Sequence, residues 1–189
     1  IDLRGSSDIA WNPAYAVAAD SEAVWIAAGP HHTVRVDPAT NEPVALIDVL
    51  NVPVGVALGE GALWVVTVAE RLVRLEPEVN ALTAEVAIGY PIALTAGARA
   101  LWVSDSRGRV WQIDPETTTV THTISVSGGL VGLCATDTTL WGANNAQGTL
   151  VRINPEDGLV VGTVPVGHAP TDVATCNGLV WVSVQAESA

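Results

Sequence analysis

The residues that could do chemistry in this chain lie in short polar intervals between apolar runs. His31 and His32 sit in GPHHT, Asp105 and Arg107 in SDSRG, Asn144, Asn145 and Gln147 in ANNAQG, and His168 in VGHAP. Tyr90, in IGYP, belongs with them. Two adjacent histidines could offer imidazole nitrogens to a metal. Neighbouring residues rarely point at one ion, however, and no third ligand follows at a metal-site spacing, so they are expected as solvated loop histidines. No nucleophile elbow, phosphate loop, CxxC pair or HExxH motif occurs. The sequence therefore predicts no catalytic residues, no metal site and no cofactor. What remains is recognition by hydrogen bonding. The expected ligand-binding residues are His31, His32, Tyr90, Asp105, Arg107, Asn144, Asn145, Gln147 and His168.

The elements that hold these intervals come from a repeat. Trp25, Trp64, Trp102, Trp141 and Trp181 follow one another at 39, 38, 39 and 40 residues. The pairs Asp37-Pro38, Glu76-Pro77, Asp114-Pro115 and Asn154-Pro155 keep step with them. A run of small apolar residues precedes most of the tryptophans, and another apolar run follows each proline pair. Each unit thus predicts four short strands, A to D. Glu60-Gly61 and Asn177-Gly178 suit tight A–B hairpins with positive φ, and the acid–proline pairs suit C–D turns. A lone four-stranded sheet cannot hide both of its apolar faces. Stacking neighbours face to face around an axis does so, with the strand-B indole as the wedge. A buried Trp contributes roughly 4–6 kcal/mol of gross burial. The expected fold is all-β, a β-propeller of four-stranded antiparallel blades.

Blades are expected at about 13–50, 53–89, 91–127 and 130–166 within a single domain spanning 1–189. A partial fifth covers 169–185, with residues 1–5 as a candidate closing strand. Such a chain would be an excerpt of a larger propeller, a five-blade ring or a self-assembling piece. Residue 1 is Ile, which predicts a mature or excised terminus. Trp11 and Trp111 fall outside the period.

Composition excludes some functions. The formal net charge of −12 repels phosphate, so neither nucleic acid nor an anionic membrane surface is an expected partner. No apolar run is long enough to insert into a membrane. Cys134 and Cys176 occupy different offsets from their local Trp and leave a disulfide undecided. Strand direction places the B–C and D–A loops on one face and the A–B and C–D turns on the other. The turn face collects more than half of the acids, which turn chemistry and solubility explain. The loop face carries the polar, nearly uncharged candidate residues. Arg35, Arg74 and Arg152 each precede the turn acid or Asn by two residues, predicting surface links of small worth, with Gln112 breaking the series.

The segments GRVWQIDPETTTVTHTISV and GTLVRINPEDGLVVGTVPVGHAPTDVA resemble YVTN/NHL-type propeller repeats, including the streptogramin-lyase-like group. The resemblance implies a propeller over about residues 10–189. It also implies a range of roles: ligand-binding and sensor modules, secreted domains attached to others, and some enzymes. For a lyase it implies an acid directly after the Trp strand, which only Asp105 supplies; Ala28, Thr67, Asn144 and Ser183 hold the equivalent places. His168 lies on a D–A loop, as that group's histidine would. One acid and one His in different blades leave the enzyme, a metal-assisted lyase or lactonase, behind two alternatives. The expectation is a non-enzymatic propeller that binds a protein or small polar ligand through the B–C and D–A loops. A self-assembling piece, a homo-oligomer formed through the incomplete blade, is the second. The expected location is extracellular or cell-surface.

Overall fold

The computed structural model describes residues 14–186. The candidate closing strand at residues 1–5 and Trp11 lie outside them. The chain divides into two compact units, Ile1–Gly89 and Tyr90–Ala189.

The first unit holds two four-stranded sheets. Blade 1 comprises β1 (Ala14–Ala19), β2 (Val24–Ala28), β3 (His32–Asp37) and β4 (Glu42–Asp48). Blade 2 comprises β5 (Pro53–Gly59), β6 (Ala62–Thr67), β7 (Arg71–Glu76) and β8 (Ala81–Ala87). In both, the strands lie antiparallel in chain order. Trp25, Ala27, Ile47, Val56, Leu63, Val65, Val73 and Leu75 form one buried cluster across the two sheets. Neither sheet supplies that cluster alone, as stacked-sheet packing requires.

The second unit repeats the arrangement. Blade 3 comprises β9 (Pro91–Gly97), β10 (Ala100–Asp105), β11 (Arg109–Asp114) and β12 (Thr119–Ser125). Blade 4 comprises β13 (Gly132–Ala135), β14 (Leu140–Asn144), β15 (Thr149–Ile153) and β16 (Val160–Pro165). A two-stranded sheet, β17 (Pro170–Cys176) with β18 (Leu179–Val184), forms blade 5 among the described residues. Trp102, Val110, Leu130, Leu133, Leu140, Val151 and Ile153 make the shared core of blades 3 and 4.

Register shows what the repeat encodes. Each strand-B Trp faces a small strand-A residue: Ala18, Ala57, Thr95, Cys134 or Ala174. On its other side it faces Arg35, Arg74, Gln112 or Arg152 of strand C. The small residue makes room for the indole. Trp64 and Trp102 donate their indole N–H to the Gly59 and Gly97 carbonyls, each at 3.1 Å, so burial leaves no donor unpaired. Trp25, Trp64 and Trp102 are fully buried, whereas Trp181 on β18 is 60% exposed. The arginines stack on the indoles opposite them, at 5.3, 5.7 and 5.8 Å for Arg35, Arg74 and Arg152. Only Arg74 also pairs with its turn acid, Glu76, at 2.8 Å. The acid–proline turns close as expected. Asp114 accepts the N–H groups of Glu116 and Thr117, and Asp37 accepts that of Ala39. Both cysteines are free thiols, so no disulfide joins Cys134 to Cys176.

Candidate functional site: the loop face

In the second unit the loop face is built upward from Asp105, the last residue of β10. Its side chain is completely buried. Oδ1 accepts the backbone N–H groups of Arg107 and Arg109, both at 2.9 Å. Oδ2 accepts the Arg109 Nε–H at 2.6 Å and the Trp111 indole N–H at 3.1 Å. Arg109 lies over the Trp111 ring at 4.6 Å. Burial opposes the carboxylate's charge. The hydrogen bonds from Arg109 and Trp111 outweigh it, with the Arg107 N–H adding to them, and hold the group below its ordinary range. The loop it organises is tight. Gly108 has φ of +78°, and a Cβ there would stand 2.7 Å from the Val126 carbonyl oxygen.

This loop presents Arg107. Its guanidinium carbon sits 4.4 Å from the centroid of the Tyr90 ring, which is 47% exposed. Tyr90 itself adopts φ of +44°, a costly conformation for a bulky residue, and its carbonyl accepts the Ser106 N–H at 3.0 Å. Among the described residues no carboxylate lies within ion-pair distance of Arg107.

The equivalent position in blade 4 is Asn144, also completely buried. Its Oδ1 accepts the Gln147 N–H at 3.1 Å, capping a short 3-10 turn over Asn145–Gln147. Its Nδ2 donates to the Ser127 carbonyl at 2.7 Å and to Gln147 Oε1 at 3.3 Å. Asn145 donates to the Pro170 carbonyl at 3.1 Å, tying the loop to blade 5. The Val166 N–H bonds the Gly148 carbonyl, which draws in the D–A loop carrying exposed His168.

The second unit therefore gathers Tyr90, Arg107, Asn145, Gln147 and His168 along one loop rim, with Asp105 and Asn144 beneath it. Those two are buried and their hydrogen bonds are used within the protein. They hold the rim and do not face outward. In the first unit, His31 and His32 stand together on the blade 1 loop. Their rings are 4.1 Å apart, and His31 Nδ1 is 4.0 Å from Asp48 Oδ1, too long for a hydrogen bond. Burial lowers the His32 pKa from 6.5; the neighbouring His31 adds to this and Asp48 opposes it. Among the described residues no three His, Cys, Asp or Glu side chains converge as metal ligands. Sequence reasoning missed Arg109 and Trp111. The signal was the out-of-period indole, a donor that needed an acceptor.

These sheets define a β-propeller fold, with four complete blades and a two-stranded fifth among the described residues. Known structures share it. A streptogramin B lyase structure superposes with a TM-score of 0.77 at 16% identity, over 93% of this chain and 63% of that one. Kuenenia stuttgartiensis hydrazine synthase gives 0.75 at 16% identity, over 92% and 55%. The Neurospora crassa Pan2 WD40 domain gives 0.71 at 12% identity, over 85% and 54%. Identities this low establish the fold alone. The chain spans between about half and two thirds of the length of these solved chains. No protein-family model and no curated protein sequence matches it. No helix among the described residues is long and apolar enough to cross a membrane.

Proposed function

We propose that the protein is a non-enzymatic binding module that recognises a partner protein or small polar ligand through the loop rim of its second unit. The observation that carries this is the Arg107–Tyr90 stack. An exposed guanidinium without a carboxylate partner among the described residues rests on an exposed aromatic ring, above a buried Asp105 that is fully engaged. Such a pair suits a carboxylate or carbonyl on the ligand, with Gln147 and His168 offering further polar contacts. Rigid scaffolds concentrate binding groups on loops in this way. The lyase reading loses its acid, because the Asp105 carboxylate is consumed by four internal hydrogen bonds.

The test is a triple variant, Arg107→Ala, Gln147→Ala and His168→Ala. It is compared with wild type in capture experiments read by mass spectrometry. A turn-face variant, Glu78→Ala with Glu116→Ala, is the control. The proposal predicts a partner retained by wild type and the control but lost from the triple variant at unchanged melting temperature. A partner retained by the triple variant would refute the rim assignment.

Self-association is a second reading, favoured by one observation. Leu179, Trp181 and Val184 of β18 are 58%, 60% and 48% exposed. That exposure of apolar side chains on one strand suits a second copy as occupant. Light scattering across a concentration series tests it; a constant monomer mass would exclude it.

A further inference from the structure

Gln112 is the one departure from a series, and a cavity opens where it departs. At the strand-C position facing the Trp, blades 1, 2 and 4 carry arginines stacked on their indoles. In the first unit, Arg35 also reaches under the C–D turn of the next blade. Its Nη1 donates to the Pro77 carbonyl at 2.9 Å and to Asn80 Oδ1 at 3.4 Å. In the second unit, Gln112 reaches the corresponding carbonyl, that of Pro155, at 3.3 Å. Glutamine is shorter than arginine and carries no charge. Beside it lies a cavity of about 550 Å³, lined by Ala98, Arg99, Gln112, Asp137, Pro155 and Glu156. That volume is in the range of small-molecule sites.

The wall chemistry favours a cation. Asp137 and Glu156 oppose one cationic side chain, Arg99, and none of the three has an ion-pair partner among the described residues. The whole chain carries −12, which adds to the local bias. The two carboxylates are acceptors, the Pro155 carbonyl keeps one lone pair beyond its bond from Gln112, and a planar fork of N–H donors matches such a set better than a point charge does.

We propose that this cavity, on the turn face and separate from the loop rim, binds a guanidinium-bearing ligand. The ligand occupies the place that an arginine of the chain itself fills between blades 1 and 2. Two sources could present the group, a free guanidine or an arginine side chain of a peptide.

The test is titration of the ¹⁵N-labelled protein with Nα-acetyl-arginine amide, following the Gln112 side-chain amide and the Trp102 indole N–H. Saturable shifts are expected. Binding should weaken at least about tenfold with the neutral isostere Nα-acetyl-citrulline amide, since a charge-assisted fork is roughly twice as strong as a neutral one. It should vanish in Gln112→Arg, which places in blade 3 the residue that the other complete blades use, and weaken in Glu156→Gln. n-Butylguanidine, a monocation like the arginine amide, is run alongside to identify the source: its tighter binding supports a free guanidine as ligand, and tighter binding of the arginine amide supports an arginine side chain. Absence of saturable shifts, equal affinity for citrulline, or undiminished binding in a folded Gln112→Arg would overturn the proposal.

Discussion

Replacing Asp105 by alanine tests how the loop rim is held. The carboxylate is completely buried and accepts four hydrogen bonds, two from loop amides, one from the Arg109 guanidinium and one from the Trp111 indole. Alanine leaves all four donors without an acceptor. Breaking one partner of a buried ion pair costs about 3–5 kcal/mol. Arg109 keeps 31% of its side chain exposed and can recover some hydration, so the lower end, about 3 kcal/mol, is expected. Asp105→Asn keeps the shape and one acceptor oxygen but turns its amide donors toward Arg109 and Trp111, for a loss of about 2 kcal/mol. Urea unfolding followed by tryptophan fluorescence and far-UV circular dichroism measures both. The pH dependence gives an independent check. The folded protein holds Asp105 below its ordinary pKa, so the unfolded chain binds more protons on acidification. The stabilisation is present above the ordinary aspartate range and is lost as pH falls through the lowered value. Asp105→Asn should flatten that acid limb. An Asp105→Ala protein within about 0.5 kcal/mol of wild type, the range of an inconsequential surface change, would refute the reasoning.

Other substitutions separate the remaining terms. Gly108→Ala should cost about 1–3 kcal/mol by the same assay, because a left-handed φ and a backbone oxygen 2.7 Å from the new Cβ both oppose it. Arg35→Ala should cost about 1–2 kcal/mol through loss of the Pro77 carbonyl bond and the stack on Trp25, more than a surface ion pair would. His32 should titrate below 6.5 by NMR. Its depressed pKa stabilises the fold above the ordinary histidine range and loses that effect as pH falls, so His32→Gln should be less acid-sensitive.

The blades were legible because their signal is local and periodic: one indole per unit, a turn acid before proline, and alternating strands between. The use of the strand-C arginines was not. Period two placed Arg35 beside Asp37, but cross-strand register set it over Trp25, and register is a property of the pairing. The loop-face candidates stand out as polar intervals, but a polar interval does not encode exposure: Asp105 and Asn144 are both completely buried. Burial comes from segments far along the chain. Gly108 meets the Val126 carbonyl across the loop, and Asn144 reaches Ser127. Gln112 was visible as a break in a series, but the cavity beside it needed the C–D turn of the next blade.

Strand-B indoles wedge the sheets of each unit together, Trp25 those of blades 1 and 2 and Trp102 those of blades 3 and 4. Exchange of the indole N–H protons, resolved by NMR in deuterated water, tests this most directly. Trp64 and Trp102, buried and bonded to Gly59 and Gly97, should exchange orders of magnitude more slowly than the exposed Trp181. Equally fast exchange at all three, in a protein that retains its β circular dichroism, would contradict the account.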